Sequence, residues 1–563
     1  MSVHRSRGAA PAQWFATALV LALTAFLVVF PILRLVQTVL TEDRVSIGTV
    51  LTSPGLGRAV ANTVLLAVAV TVIAVPVGAG MALAMRLPGV PAVGFWRLAV
   101  LVPLLVPQFV LGYSWTQAYG RAGFTDVTVG LPWPGVQGPL GVTVVLVVNA
   151  VPVTYLLTAV GLATRAEPDL ERAARAAGAS GVTALRTITL PLLRPSLAAA
   201  AVLVFVLTLE DFAVPQVLGT PAGFSTVTTR IYRDLSLGSD PFSFVEAVTL
   251  ALLLVALAAA VVGPADSLLG PRLRVDRVAD SAGSAVAPRR RSTGRWVAAA
   301  LGGYLILAVG LPLLALVAAA ITRAVGLPPR PGNWTLDNFR EVLDQRTYEA
   351  IGRSVGLAVI AASVLTVLGL MVALLERRRS APGVGTLITL TLVLPGSTLA
   401  IALLIAYGRW LGGSLTLILL AYLAKLWAFG HRPVAGAIDR LPAEELFAAR
   451  ASGAGPVTAI RTVALRPLAP ALLGAWLVCC VTALHEVTMS SLLYGPGSET
   501  LAVVVLNSQE LGRIGPTAAL SVVLTLLIAA AALPLWLLVS RLRLPAAALP
   551  PAGVRREQAF HGS

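Results

Sequence analysis

Long apolar runs separated by short, arginine-bearing polar stretches set the pattern of this chain. The runs lie from Trp14 to about Leu40 and near 59–85, 96–118, 138–163, 195–218 and 243–265. After a polar stretch they resume near 296–322, 354–375, 384–408, 411–431, 468–493 and 515–540. Each is long enough, as a helix, to cross roughly 30 Å of hydrocarbon. The pattern predicts an all-α polytopic membrane protein of about twelve transmembrane helices, with room for short re-entrant pieces in the third and ninth runs. The first run exceeds the roughly 7–15 apolar residues of a secretory signal, so a retained first span is expected.

Two polar, helix-like segments interrupt this pattern and repeat one another: EPDLERAARAAGASGVTALRTITLPLLRP at 167–195 and, within 442–470, EELFAARASGAGPVTAIRTVALRPLAP. A shift of 275 positions carries Ala173, Ala174, Gly178, Ala179, Arg186, Thr187, Leu190 and Pro195 onto Ala448, Ala449, Gly453, Ala454, Arg461, Thr462, Leu465 and Pro470 without a gap. Further echoes are LGRAVANTVLLAVAV at 56 with IGRSVGLAVIAASVL at 351, and Pro107 with Pro395. The chain therefore reads as a duplication: a first six-helix repeat at 1–270, a basic linker at 271–295 and a second six-helix repeat at 296–563. An even number of spans per repeat keeps both copies in the same orientation, which makes the repeats parallel and relates them by an axis along the membrane normal.

Each polar segment has a helix start and stop. Pro168 suits the first helical position, Asp169 and Glu171 the first turn, and Gly178 the end; Pro442, Glu444, Glu445 and Gly453 repeat this. Small residues fill the space between, so the helix is slim, with little to bury on its own protein. Such a helix–glycine–helix lever can dock in another protein's groove or rest on lipid headgroups. Its duplication favours docking on a dimeric partner.

Composition agrees with the membrane reading and narrows the chemistry. Only 12% of residues are charged, against roughly 25% in soluble domains. With loops assigned alternately, 28 of the 41 arginines fall on the side of the N-terminus. By the positive-inside rule that side is cytoplasmic, which puts both termini and both polar segments in the cytoplasm. The net charge of +16 is thus a topology signal rather than a nucleic-acid surface. Cys479 and Cys480 are adjacent in an apolar run and read as packing residues, and no His/Cys constellation suggests a metal site. The single lysine, Lys425, lies in LAKLWAF, so no Gly-x-x-x-x-Gly-Lys phosphate loop can exist. The chain is not expected to be an enzyme, and any ATP-driven step must belong to another polypeptide.

Glu210 and Asp211 fall, under the same shift of 275, on His485 and Glu486. Ionisable groups in or at the end of spans are expensive and mark pathways, so these four are candidate translocation or gating residues; bracing of loops is the plainer alternative. Lys425 is expected to snorkel at the cytoplasmic end of its span, and Asn149 to bond a neighbouring helix.

The polar segments resemble the EAA loop of permease subunits of binding-protein-dependent ABC importers: Glu-Ala-Ala, three residues, Gly, then Ile-x-Leu-Pro. ERAARAAGAS…TITLPLLRP carries it from Glu171 to Pro195, with Arg172 at the motif's Glu position and Glu171 one residue earlier. In the second copy Phe447 takes that position, and Arg466 precedes Pro467 where the motif has Pro. The resemblance implies coupling helices seated on a dimer of ABC ATPase subunits through Glu171, Ala173, Ala174, Gly178, Glu445, Ala448, Ala449 and Gly453. It also implies an external solute-binding protein, a bacterial cytoplasmic (inner) membrane, no cofactor on this chain, and ATP and Mg used by the partners. EDFAVPQVLG, TVTTRIY (226–232), HEVTMSSLLYGPGSETLAV (485–503) and NWTLDNFREVL (333–343) resemble ferric-iron uptake permeases. That makes iron import the expected function; thiamine, aminoethylphosphonate or a similar solute, or an ion-coupled secondary transporter, are the alternatives.

Overall fold

The computed structural model describes residues 9–41, 48–50, 52–87, 89–165, 167–236, 238, 241–273, 291–377, 384, 388, 391, 393–439, 449, 451–453, 458 and 465–542. The elements are α1 (Trp14–Thr41), α2 (Leu56–Ala84), α3 (Val93–Leu105), α4 (Gln108–Tyr119), α5 (Pro139–Arg165), α6 (Pro168–Ala176), α7 (Gly181–Leu209), α8 (Val227–Ser236) and α9 (Pro241–Leu273). They continue with α10 (Thr293–Ala320), α11 (Gln345–Arg377), α12 (Gly396–Leu411), α13 (Leu415–Ile438), α14 (Arg466–Leu484), α15 (Leu501–Glu510) and α16 (Ile514–Leu542). Among the described residues, nine helices are long and apolar enough to cross a membrane. A tenth is added if the pair Val93–Leu105 and Gln108–Val129, bent by 96°, is one span. The expected third run is thus a broken element, as a re-entrant piece would be, whereas the expected run 195–218 ends at Leu209 and begins as early as Gly181. The region 378–392, start of the expected ninth run, lies mostly outside the described residues.

The same arrangement occurs twice. α2, α5 and α7 pack on one another, and so do α11, α13 and α14. Glycine permits the closest approach in both: a Cβ on Gly78 would overlap the Val151 carbonyl and Thr154 of α5, and one on Gly369 the Gly430 carbonyl of α13. Small residues at helix crossings give close van der Waals packing where lipid offers no hydrophobic gain. A helix-borne hydroxyl also recurs: Thr63 Oγ1 accepts the Val227 amide at the start of α8 (2.9 Å), and Ser354 Oγ the Leu501 amide at the start of α15 (2.8 Å). These contacts equate Thr63 with Ser354 and Gly78 with Gly369. The structural register is therefore four residues, about one helical turn, away from the sequence echo of 56 with 351.

The first helix of each copy lies across the other. α1 packs on α12, and α10 on α4. Proline dictates how they join. α1 carries a π-bulge at Ala25–Val29 and α10 one at Ile306–Gly310. Phe30 N–H closes onto the Ala25 carbonyl and Leu311 N–H onto Ile306. The next donors in this register would be residues 31 and 312, and both are prolines without an N–H. The Phe26 and Leu307 carbonyls are left without helical partners in an apolar layer, which costs free energy unless another donor arrives. Tyr407 Oη of α12 donates to Phe26 and Tyr119 Oη of α4 to Leu307, each at 2.6 Å; Trp115 Nε1 donates to the neighbouring Ala308 carbonyl at 2.9 Å. The two copies are thus bonded by equivalent stitches in opposite directions.

Tyr407→Phe and Tyr119→Phe should each cost about 1–3 kcal/mol, the penalty of an acceptor left unmet in an apolar layer, and lower the thermal denaturation midpoint of the detergent-solubilised protein. Tyr407→Phe should cost less in a Pro31→Ala background, because alanine restores the missing amide; equal losses in both backgrounds would remove this account.

Candidate functional site

Two polar places stand out in the apolar bundle. The first is α6, at the end of the bundle where α2 and α5 finish and α7 begins. Glu167 precedes Pro168 at the first helical position, as expected. Gly178 ends the helix at φ +90°, in the left-handed region that favours glycine. Ser180 then opens α7 by accepting the Thr183 amide at 3.1 Å. α6 buries none of its described side chains: Leu170, Arg172 and Ala173 are exposed and Ala174 half-buried. A Cβ at Gly178 would meet nothing within 4 Å.

Glu171 departs from expectation. Its carboxylate points back to its own protein, accepting Thr189 Oγ1 at 2.6 Å and standing 3.7 Å from Arg86 at the end of α2. Arg172 turns outward and pairs with Asp169. The residue expected to touch a partner therefore braces the lever against α7 and α2. In the second copy, Glu445 and Ala448 lie outside the described residues. Ala449 is half-buried, and Gly453 is exposed at φ +85°, where a Cβ would again meet nothing within 4 Å.

The second place is the junction where α7 ends against α12 and α13. Glu210 and Lys425 pair at 2.7 Å across the two copies. Lys425 Nζ also donates to the Leu394 carbonyl at 2.7 Å. Pro395, extended at φ −58° and ψ 138°, causes this arrangement. α12 begins directly after it, so the first amides of that helix and the Leu394 carbonyl before it must find partners outside the helix. Lys425 therefore does not snorkel at a span end. It lies ten residues into α13 and is nearly buried, because the Leu394 carbonyl and the carboxylate give it partners there. Asn149 likewise corrects its expectation: its amide donates to Val145 of its own helix at 3.2 Å.

Asp211 and Glu486 play one role twice. Asp211 accepts the Val214 amide at 3.0 Å, and Glu486 accepts the amides of Met489 (2.9 Å) and Ser490 (3.1 Å). Each caps the helical turn that follows its span. Ser490 Oγ reaches both Glu486 (3.2 Å) and the Tyr422 hydroxyl of α13 (2.7 Å). His485 is half-buried, and its Nδ1 has no hydrogen-bond partner among the described residues. The structure thus gathers Glu210 with Lys425, and Glu486 with Tyr422 and Ser490, around α13. Sequence spacing matched the acids to one another but missed Lys425, Tyr422 and Ser490; Pro395 was the available signal. On the face opposite α6, Glu510 accepts Gln216 (3.0 Å) and Tyr232 (3.3 Å) from the first copy. Among the described residues no group of three or more His, Cys, Asp or Glu could hold a metal ion.

Thr189→Val and Glu171→Gln should loosen the lever by about 1 kcal/mol, or roughly fivefold more of the opened form. The check is the rate of limited proteolysis between 165 and 180 in detergent; unchanged cleavage would deny the brace.

Residues 74–275 and 365–544 both match the model of the family described as "Binding-protein-dependent transport system inner membrane component". The chain is 25% identical over 526 residues to a probable ABC transporter permease protein of Sinorhizobium fredii, covering 86% of this chain and 87% of that one. It is 22% identical to a ferric transport system permease protein of Actinobacillus pleuropneumoniae, over 74% of this chain and 62% of the relative. A molybdenum transport system permease protein of Mycobacterium tuberculosis is 33% identical over 42% of this chain and 88% of its own length.

Proposed function

The chain belongs to the inner membrane components of binding-protein-dependent transport systems, and from that premise we propose that it is a fused importer permease whose α6 lever and its second copy seat on two ATPase subunits. As a non-catalytic ABC importer subunit it has no cofactor of its own, and a partner ATPase uses the ATP. The observation that carries the lever reading is the exposure of α6, a helix between proline and glycine that buries none of its described side chains while Glu171 holds it to α7 and α2. Ala173, Ala174 and Gly178, with Ala448, Ala449 and Gly453, offer a surface free of bulky side chains to a partner's cleft. Glu171 orients that surface from behind in the first copy.

In this reading the membrane is crossed twelve times, six per repeat, with the repeats at 1–270 and 296–563 joined by 271–295. Both termini and both levers are cytoplasmic, as the arginine distribution favours. A loaded external binding protein docks on the opposite face. ATP closure of the partner dimer draws the levers together and rocks the repeats open to the outside, and hydrolysis resets them. The coupling holds because each nucleotide state favours one arrangement of the repeats.

For the solute we propose ferric iron. The ferric transport relatives and the carboxylates of Glu210, Asp211 and Glu486 around the junction support it, since oxygen donors suit a hard trivalent cation. These acids, with His485, would line or gate the passage rather than store the ion, because a conduit must release it. The 33% identity to the molybdenum relative, together with Lys425 at the junction, favours an oxyanion as the second reading.

The test is uptake by proteoliposomes holding the chain, its cognate ATPase and its binding protein. ATP-dependent accumulation of labelled Fe³⁺, but not of molybdate, thiamine or aminoethylphosphonate, is the expected result. Accumulation of one of the others would discard iron and keep the class; uptake without the ATPase would point to an ion-coupled transporter. Gly178→Val with Gly453→Val should remove ATPase association while the protein stays in the membrane, since a β-branched residue cannot adopt the left-handed turn without strain. Intact complexes from that variant would sink the docking assignment.

A further inference from the structure

The Glu210–Lys425 ion pair between the copies has no symmetry mate. Under the shift of 275 that relates the copies, Glu210 corresponds to His485 and Lys425 to Ala150. The cap at Asp211 recurs at Glu486, and the tyrosine stitches recur too, yet this ion pair exists once. Its groups belong to different copies. Glu210 ends α7 of the first, and Lys425 and Leu394 belong to the second. Both side chains are nearly buried, with 12% of Lys425 and 11% of Glu210 exposed.

The backbone also fixes the polarity of the pair. Lys425 Nζ also meets the Leu394 carbonyl of its own copy, so the donor must stand on the α13 side and the carboxylate on the α7 side. Drawing α7 away from α12 and α13 would break the pair, leaving the Glu210 carboxylate without its cation and the Lys425 ammonium without its counter-charge in a poorly solvated place. Each stranded charge in a poorly solvated place is costly, and the cost falls only on arrangements in which the copies separate here.

We propose that Glu210 and Lys425 form a single latch between the two repeats, holding the passage shut in the arrangement seen here and setting the threshold that ATP closure must exceed to open it. The latch rests on the reading of the repeats as moving halves, and it deepens that reading by assigning the gate to one named contact. It biases the equilibrium because the pair exists in one arrangement and is absent in the other. Asp211 and Glu486, bonded within their own copies, move with their spans and contribute nothing to the threshold.

The experiment uses the complete complex with its ATPase in nanodiscs, without binding protein, and compares Glu210→Gln, Lys425→Met, the double variant Glu210→Gln/Lys425→Met, and Lys425→Arg. The readouts are basal ATP hydrolysis and the distance between spin labels at Ala222→Cys and Pro496→Cys, both exposed and on different copies, in a Cys479→Ala/Cys480→Ala background. Loss of the latch should raise hydrolysis without binding protein by about fivefold or more, the lower end of typical coupling between sites, and shift the label distances toward the separated state. The double variant strands no charge, so it reports on the latch even if a single variant fails to fold. Lys425→Arg keeps a donor for both acceptors and should return both readouts toward wild type. Wild-type hydrolysis and distances in the double variant would overturn the proposal, as would Lys425→Arg behaving like Lys425→Met. Failure of the underlying reading looks different: the wild-type complex itself would show no change of label distance on adding ATP and binding protein.

Discussion

The constraint on which this structure depends is that hydrocarbon supplies no hydrogen bonds to a backbone group that proline has set free. Pro31 and Pro312 each withhold an amide after a π-bulge, and Pro395 stands directly before the first residue of α12. In a soluble protein water could meet the freed carbonyls; here side chains must. At all three points the donor comes from the opposite copy or faces a group from it: Tyr407 to Phe26, Tyr119 to Leu307, and Lys425 to Leu394 with Glu210 opposite. The prolines therefore decide where the copies are joined. Removing a single helix–helix contact costs packing alone, whereas removing one of these donors leaves an orphan.

Much of this architecture was legible in the chain, because membrane physics writes it in simple signals. Apolar run length and the proline and glycine around α6 follow from local rules, and the structure has Pro168 and Gly178 in the expected positions. What was not legible depends on distance. Glu210 and Lys425 lie 215 residues apart, and nothing in LAKLWAF distinguishes a paired lysine from one that snorkels. Glu171 fitted the surface of a lever by position, but its direction is set by Thr189, across a turn that periodicity cannot orient. The alignment of α2 with α11 slipped by one turn for a related reason. Displacement by a turn keeps the same face inward, so small apolar residues match almost as well in the wrong register; only Thr63 with Ser354 and Gly78 with Gly369, identified by what they touch, settle it.

Duplication makes each asymmetry informative. Two copies under the same physical demands keep the same solutions where the demand is structural, as the tyrosine stitches and the helix caps at Asp211 and Glu486 do. Where they differ, the demand is not shared. Glu171 is tied to Arg86 and Thr189 in the first copy, and a phenylalanine, Phe447, follows the second copy's glutamates where the first has Arg172, so the two levers present different chemistry to whatever seats them. His485 and Ala150 stand where Glu210 and Lys425 stand in the other copy.

A single ion pair at one side of a pseudo-twofold junction has a mechanical consequence that two would not have. Two symmetric latches would have to break together and would double the barrier, pressing the equilibrium far toward one arrangement. One latch leaves the opposite side, where His485 and Ala150 stand in place of the pair, bridged by neutral contacts such as the Tyr304 hydroxyl on the Val148 carbonyl. Separation can then begin at the weaker side and reach the Glu210–Lys425 pair as its last step, so the charges are exposed only once the junction has begun to open and water can solvate them. The cost of stranding them is thereby reduced at the moment it is incurred, and a buried pair that would otherwise obstruct the movement instead sets where in the movement the threshold lies.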